Sequence, residues 1–303
     1  MLSNKEIICP INLLDVAHKK KDIPAGIVNA GKMLPMLSVI DAVKENLINP
    51  ILIGDKDEIQ KCAEELQFDI SKYEIIHEPK ENSTAKIAAK LASQGKIKII
   101  VKGHIHTDVL MKEVIKKEYN LLGKTRLSHI WHMTLEKNDQ PIIITDGALN
   151  VSPNVKTKMH ILKNVINFCH RIGIEKPKVS VLSATEEVLD SMQSSLDAKE
   201  ICELVGKESL NADIFGPLAF DNSVSKKSAE IKGINNIVAG DADVLLVPNV
   251  ETGNALVKMM IYFMGACAAG VVIGGKVPVV ITSRSDDATA RLASIAAAVV
   301  ALD

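Results

Sequence analysis

A short polar segment near the C-terminus separates two apolar runs of different character. The run 277–282 is rich in β-branched residues and predicts a buried strand, and the alanine-rich run 288–300 predicts a helix. Between them, Ser283 and Asp286 fit a capping box, which holds the first turn of a helix. Capping does not account for Arg284, because a cation is disfavoured at the positive end of a helix dipole. A guanidinium beside backbone N–H groups suits a phosphate or a developing oxyanion, so this segment is a candidate catalytic loop.

Two other junctions between a predicted strand and a predicted helix have a similar make-up. Thr252-Gly253-Asn254 follows a strand that ends at Pro248, and Gly103 precedes a helix start at Thr107. The glycines would let backbone N–H groups approach an anion closely. Thr252 or Asn254 could instead be a simple N-cap of the following helix.

Other polar residues allow more than one interpretation. Arg126 is one of four arginines in a lysine-rich chain, which indicates either bidentate anion recognition or a structural salt bridge. His104 and His106 alternate as strand residues do, but the sequence offers no third ligand, so we expect no metal site. Asp146 and Asp221 follow strand ends, where an aspartate often forms an Asx turn.

Composition excludes several classes of function. The formal net charge is -1 and aromatic residues make up 3% of the chain, which argues against a nucleic-acid or anionic-membrane partner. The five cysteines show no CxxC pair or ligand spacing, as expected for reduced core thiols. The uncharged run 259–275 is shorter than a membrane span and contains a Gly-Gly break, so we expect a buried helix followed by a strand. The protein is therefore expected to be cytoplasmic.

Short apolar runs alternate with amphipathic, helix-like stretches along the chain. The runs at 26, 51, 74, 98, 142, 179, 244, 270 and 277 predict strands, and their alternation with helices predicts an α/β fold with parallel sheets. Polar residues collect after six of these strands, in GDKDE, KGHIHTD, TDGALN, SATEE, PNVETGN and TSRSDD. Since ligands bind at the carboxyl ends of parallel strands, these loops predict a composed binding cleft.

Polar stretches also suggest where domains meet. We expect a first α/β domain made of residues 1–138 and 284–303, with the final helix returning to it, and a second α/β domain made of residues 139–283.

Four segments together resemble the phosphate acetyl/butyryltransferase family: TDGALNVSPN, GPLAFDNSVS, GDADVLLVPNVETGNALVK and GGKVPVVITSRSDD. The resemblance runs along essentially the whole chain, and the C-terminal segment is closer to the phosphate butyryltransferases and their acetyl relatives. It implies two α/β domains of the isocitrate/isopropylmalate dehydrogenase type, an active site in the cleft between them and a homodimer formed through the second domain. One departure is Phe215, where relatives usually carry an aspartate before Gly-Pro-Leu.

The resemblance also implies a reaction: transfer of a short acyl group between coenzyme A and inorganic phosphate, with no permanently bound cofactor. Ser283 and Arg284 match the family's active-site pair, as oxyanion donor and phosphate anchor. Asp286 or Asp287 would accept the thiol proton of coenzyme A. The remaining candidate binding residues are Arg126, Gly103, Thr107, Thr252, Gly253, Asn254 and Asp287.

Two other functions are compatible with the same pattern. A decarboxylating dehydrogenase that uses a nicotinamide cofactor and a divalent metal would share the architecture, but it needs a cluster of metal-binding aspartates, and Asp286-Asp287 is one adjacent pair with no evident third partner. A non-catalytic coenzyme A-binding protein would account for the change at Phe215.

Overall fold

The computed structural model describes residues 2–135, 140–282 and 287–302. The chain divides into two compact units. The first unit contains Glu6–Lys124 and the chain from Cys267 onward, and the second contains the chain from Thr125 to Ala266 with residues 2–5. The domain limits predicted from the sequence, at 138–139 and 283–284, stay a prediction.

The N-terminal part of the first unit alternates strands and helices. Its elements are α1 Ile11–Ala17, β1 Ile23–Val28, α2 Met33–Lys44, β2 Ile48–Gly54, α3 Lys56–Glu65, β3 Ile75–His77, α4 Glu81–Ser93, β4 Ile99–Lys102 and α5 Thr107–Val114, with a 3-10 turn at Lys117–Tyr119.

The second unit follows, and the chain then returns to the first. The second unit has β5 Ser128–Thr134, β6 Ile142–Thr145, α6 Val155–Arg171, β7 Lys178–Leu182, α7 Gln193–Val205, β8 Asp213–Leu218, α8 Phe220–Val224, α9 Lys226–Ile231, β9 Val244–Leu246 and α10 Val250–Met264. The returning elements are β10 Cys267–Ile273, β11 Val279–Val280 and α11 Ala288–Ala301.

Both units are built on mostly parallel strands, which confirms the predicted α/β class. In the first unit the strands lie in the order β3-β2-β1-β4-β11-β10, and all neighbours are parallel except β10 and β11. In the second unit the order is β5-β6-β9-β7-β8, and only β5 and β6 are antiparallel. Each unit therefore has its own edge of carboxyl strand ends, with three of the six polar loops on each.

All nine apolar runs form strands, but β5 and β8 were not predicted. Strand β5 carries histidine and tryptophan in the sequence SHIWHMT, yet all seven residues are buried. Strand β8 contains Gly216-Pro217, which normally indicates a turn. Proline is tolerated there because β8 is the last strand in its unit's order and has a neighbour on one side.

The alanine-rich run predicted as a helix forms α11, which is buried almost all round. The ten residues from 291 to 300 are buried with the exception of Leu292. The helix packs against β10, α2 and α1. Its alanines allow this because their small side chains let neighbouring backbones approach closely.

The uncharged run 259–275 forms the end of α10 and then β10, as predicted. The prediction that this helix end is buried is wrong, since Met259, Tyr262 and Phe263 are 43%, 44% and 58% exposed. Among the described residues, no helix has the length and apolar character needed to cross a membrane.

Candidate active site

The predicted catalytic residues Ser283, Arg284 and Asp286 lie outside the described residues. The residues on either side of them are described. Thr282 follows β11 and is buried, and Asp287 is the exposed N-cap of α11. The Asp287 Oδ1 atom accepts a hydrogen bond of 2.8 Å from the backbone N–H of Thr289. The N-cap is therefore Asp287, and the capping box predicted with Ser283 as the cap is wrong for this helix.

Lys102 is a buried cation beside this segment that the sequence analysis did not single out. It is the last residue of β4, which pairs in parallel with β11, and it is 5% exposed. Its Nζ atom donates to the carbonyl oxygen of Thr282 at 3.3 Å. A lysine that closes an otherwise apolar strand, as in KIIVK, is the signal that could have identified it.

Gly103 lies where the backbone packs closely against the end of β1. Its N–H already donates to the carbonyl oxygen of Val28 at 2.9 Å. A Cβ atom here would lie 2.5 Å from the carbonyl oxygen of Asn29, so only glycine fits. Thr107 opens α5 and is exposed, and the preceding N–H of His106 donates to Glu81 Oε1 at 2.7 Å.

In the second unit, α10 begins two residues earlier than the Thr252-Gly253-Asn254 segment predicted. Asn249 is the N-cap, and its Oδ1 atom accepts from both the N–H and the hydroxyl of Thr252 at 2.9 and 2.7 Å. The N–H of Gly253 donates to the carbonyl oxygen of Asn249 at 3.3 Å. Asn254 therefore lies inside the first turns of α10, and the proposal that Thr252 or Asn254 caps the helix is wrong.

Gly253 allows a close approach between two backbone segments. A Cβ atom on Gly253 would lie 2.7 Å from the Cα atom of Gly147, and one on Gly147 would lie 3.2 Å from the Trp131 ring. The start of α10 therefore packs directly on the loop after β6. The N–H groups of Gly103 and Gly253 themselves donate to backbone carbonyl oxygens, and the prediction that these glycines let neighbouring N–H groups approach an anion stays a prediction.

The loop after β6 is organised by the carboxylate of Asp146, which is 2% exposed. Its Oδ1 atom accepts from the N–H groups of Ala148 and Leu149 at 3.0 and 2.9 Å, which confirms the Asx-turn interpretation. Its Oδ2 atom accepts from the N–H of His129 at 3.1 Å and from the Asn150 side chain at 2.7 Å. Four donors thus satisfy this buried carboxylate.

Arg126 joins the same network through its side chain. Its Nε atom donates to Asn150 Oδ1 at 3.2 Å, and Asn150 Nδ2 also donates to the carbonyl oxygen of Leu127 at 2.9 Å. The Arg126 side chain is exposed at the surface of the second unit. Its described contact is a hydrogen bond to a neutral amide, and no salt bridge to Arg126 is found among the described residues.

Phe215 occupies its position in β8 as a packing residue. It is half-buried against a small apolar cluster formed by Leu218, Ala229, Val238 and Ala239. An aspartate side chain could not make these apolar contacts. Phe215 therefore contributes to apolar packing within the second unit.

The cysteines are free thiols, as predicted. Burial raises the pKa of Cys9 to about 12 and that of Cys202 to about 11, so neither is a thiolate near neutral pH. Burial also raises the pKa of Cys169 and of Cys267. In the part of the chain that the structure describes, no group of three His, Cys, Asp or Glu side chains could hold a metal ion.

These features give each unit a distinct chemical capacity. In the first unit a buried ammonium group donates to the carbonyl oxygen of Thr282, and the carboxylate of Asp287 caps α11. In the second unit an exposed guanidinium is held by an amide that is itself held by a buried carboxylate. Both arrangements place fixed cations at the carboxyl ends of strands or on the loops beside them, as the recognition of an anionic substrate requires.

Comparison with known proteins agrees with this chemistry. The chain is 38% identical over 286 residues to a phosphate acetyltransferase of Rickettsia typhi, covering 94% of this chain and 82% of the relative. It is 36% identical over 294 residues to a phosphate butyryltransferase of Clostridium acetobutylicum, covering 96% and 98%. The crystal structure of a branched-chain phosphotransacylase from Enterococcus faecalis superimposes with a TM-score of 0.81 at 31% identity, covering 92% and 98%.

A family model described as "Phosphate acetyl/butaryl transferase" matches residues 78–299. That range includes every residue of the predicted site, from Gly103 to Asp287, and the resemblance noted in the sequence is thereby confirmed. The chain belongs to the phosphate acetyl/butyryltransferase family.

Proposed function

We propose that this protein is an acyltransferase that moves a short acyl group between coenzyme A and inorganic phosphate. The reaction is acyl-CoA + phosphate = acyl phosphate + coenzyme A. The observation that carries the proposal is the family match, which spans residues 78–299 and contains the whole predicted site. The same match favours acyl transfer over the alternatives of a metal-dependent dehydrogenase or a non-catalytic coenzyme A-binding protein.

In this proposal the phosphate group is held by arginine. Arg284 is the principal anchor, and Arg126 is a second one whose guanidinium is already oriented by Asn150. A guanidinium can bind two phosphate oxygens at once, which fixes the orientation of the group as well as its position. Lys102 adds a positive charge beside residues 283–286.

The chemical step is a direct attack by one substrate on the other. Asp286 accepts the thiol proton of coenzyme A, and the resulting thiolate attacks the carbonyl carbon of the acyl phosphate. The C–O bond to phosphate then breaks, and phosphate leaves as the thioester forms. Ser283 donates a hydrogen bond to the oxyanion of the tetrahedral intermediate, a contribution of about 3 kcal/mol for one such donor.

Coenzyme A is a co-substrate in this scheme, and no covalent acyl-enzyme is required. Both substrates are bound together, so proximity and orientation supply much of the rate acceleration. The remaining predicted binding residues stay in the proposal as residues close to the substrates: Gly103, Thr107, Thr252, Gly253 and Asn254.

We further propose that the protein is a cytoplasmic homodimer, formed through the second unit. Three large apolar side chains near the end of α10, Met259, Tyr262 and Phe263, are 43–58% exposed. Contiguous exposed apolar surface of this kind commonly marks a contact between proteins.

The central test is to replace Arg284 with alanine and measure acyl-CoA formation from acyl phosphate and coenzyme A. We expect activity to fall by about 100-fold or more, because the loss of a charged bidentate contact removes several kcal/mol of binding. Activity within a few-fold of the wild type would refute the proposed role of Arg284. A profile across acetyl-, propionyl- and butyryl-CoA would then define the acyl preference.

A further inference from the structure

We propose that Asn150 is a positioning residue that orients the guanidinium of Arg126 toward the phosphate group of the substrate. The inference rests on the proposed function, since it assigns a task to Arg126 in that reaction. It adds a residue that would touch no substrate and would act through Arg126 alone.

The first step is the contact between the two side chains. Arg126 Nε donates to Asn150 Oδ1 at 3.2 Å. A guanidinium is planar and carries five N–H donors, of which one lies on Nε and four on the terminal nitrogens. The hydrogen bond from Nε to Asn150 restricts the orientation of the guanidinium plane. The N–H groups on the two terminal nitrogens can then donate to two oxygens of a phosphate.

The second step is the orientation of the Asn150 amide, which its other partners decide. Asn150 Nδ2 donates to Asp146 Oδ2 at 2.7 Å and to the carbonyl oxygen of Leu127 at 2.9 Å. Both partners are acceptors only, because the Asp146 carboxylate already receives three backbone N–H groups. The NH₂ group must therefore face them, and the amide oxygen must face Arg126.

The third step is that the backbone of Arg126 is held independently. The side chain of Asn164 on α6 is 5% exposed, and its Nδ2 atom donates to the carbonyl oxygen of Arg126 and to Ser128 Oγ, both at 2.8 Å. Its Oδ1 atom accepts from the hydroxyl of Thr125 at 2.6 Å. With the main chain fixed in this way, the direction of the guanidinium depends on Asn150.

A purely structural role for Asn150 predicts different behaviour. If Asn150 only braces the loop after β6, its removal would lower stability and reduce kcat without a selective change in the KM for phosphate. If Asn150 acts through Arg126, its removal raises the KM for phosphate, and the effect disappears when Arg126 is already absent.

The experiment is a double-mutant cycle with Arg126→Ala, Asn150→Ala and the double variant, assayed in the direction that converts acyl-CoA and phosphate to acyl phosphate. Asn154→Ala is the matched control, because Asn154 caps α6 by accepting from the Thr157 N–H, and no hydrogen bond between Asn154 and Arg126 is found among the described residues. It should lower the midpoint of thermal unfolding and leave the KM for phosphate unchanged. If Asn150→Ala does not fold, Asn150→Ser replaces it, since a serine hydroxyl is too short to reach Arg126.

We expect Arg126→Ala to raise the KM for phosphate by about 10- to 100-fold, and Asn150→Ala by about 3- to 10-fold, as lost hydrogen bonds to charged groups imply. The double variant should match Arg126→Ala within about 2-fold. The inference is overturned if Asn150→Ala leaves the KM for phosphate unchanged. It is also overturned if the fold-increase in this KM in the double variant equals the product of the increases in the two single variants. If Arg126→Ala itself has no effect on this KM, the proposed role of Arg126 fails instead, and the inference falls with it.

Discussion

The ammonium group of Lys102 donates a hydrogen bond to the carbonyl oxygen of Thr282, 180 residues later in the chain. Lys102 ends β4, Thr282 follows β11, and the two strands are parallel neighbours in the first unit. The lysine thereby fixes the main chain immediately before Ser283. It also places a buried amine at Thr282, the residue that precedes Ser283 in the chain.

We expect Lys102→Met to lower kcat for acyl-CoA formation by about 10-fold. Methionine fills a similar volume but cannot donate to Thr282, so both the anchor and the charge are lost; a hydrogen bond from a charged group contributes about 1.5–3 kcal/mol. Steady-state kinetics on the purified variant give the measurement. Lys98→Met is the control, because Lys98 is exposed at the other end of the same strand. Equal kcat values for both variants and the wild type would contradict the anchoring role.

Substitution of the two adjacent aspartates, Asp286 and Asp287, should affect kcat differently. Asp286→Asn is expected to reduce kcat by about 100-fold or more, because an amide cannot accept the thiol proton. Asp287→Asn should leave kcat nearly unchanged, since asparagine caps a helix about as well as aspartate and can still accept from the Thr289 N–H. Kinetics and thermal unfolding of both variants provide the check. The reverse pattern would assign the base to Asp287.

The stability of the protein should fall below neutral pH through His132. Burial lowers the pKa of this side chain from 6.5 to about 4 in the folded protein. The unfolded chain therefore binds a proton near pH 6.5 while the folded protein does not, so stability is complete above pH 6.5 and decreases as the pH falls toward 4. Between pH 7 and pH 5 the loss from this one group is about 2 kcal/mol.

Urea unfolding of the wild type and of His132→Leu at pH 7 and pH 5 measures this contribution. The variant should lose less stability than the wild type over the same interval, because leucine does not titrate. The Nδ1 atom of His132 has no hydrogen-bond partner among the described residues. Replacing His132 with leucine therefore removes no hydrogen bond at that atom. Identical pH dependence of the two proteins would show that His132 does not carry the effect.

Gly103→Ala should destabilise the first unit by about 2 kcal/mol or more, since the new Cβ atom would clash with backbone oxygens of Val28 and Asn29. Gly206→Ala is the matched control. At Gly206 the backbone φ is -58° and an added Cβ atom meets its nearest neighbour at 3.6 Å, so we expect little change. Chemical denaturation gives the free energy of unfolding of both variants. If Gly103→Ala is as stable as Gly206→Ala, the packing role of Gly103 is contradicted.

Phe263→Glu should convert the proposed dimer to a monomer, because a charge would then lie in the apolar surface near the end of α10. Size-exclusion chromatography with light scattering measures the mass directly. Ile115→Glu places the same charge on a residue that is 50% exposed in the first unit and should leave the mass unchanged. A wild-type protein that is already monomeric would refute the dimer.

The sequence predicted strands wherever apolar residues were consecutive, and it missed those with a mixed composition. Strand β5 was missed because its histidines and Trp131 are polar or amphipathic by type, although the fold buries them. Strand β8 was missed because Gly216-Pro217 resembles a turn when its position in the sheet is not known. The start of α10 was misplaced because Asn249, Thr252 and Asn254 are all suitable caps, and only the geometry distinguishes them.

The same limit applies to the site. Arg126 was singled out as a residue for anion recognition or a salt bridge, and Asp146 was correctly interpreted as a turn residue. Their connection was not predictable, because Arg126 and Asn150 are 24 positions apart and the hydrogen bond depends on how the loop after β6 folds. Lys102 was not predicted for a related reason. Its partner is the backbone carbonyl group of Thr282, and every residue type has such a group.

The way α11, β10 and β11 complete the first unit has a consequence for biosynthesis. Strand β11 lies between β4 and β10, and α11 fills the core against α2 and α1. During translation the first unit therefore lacks two strands and a core helix until residues 267–302 have been made. The part of the second unit from 125 to 266 is contiguous in sequence, so all five of its strands are made together. It can therefore form its own part of the sheet before β10, β11 and α11 of the first unit have been synthesised.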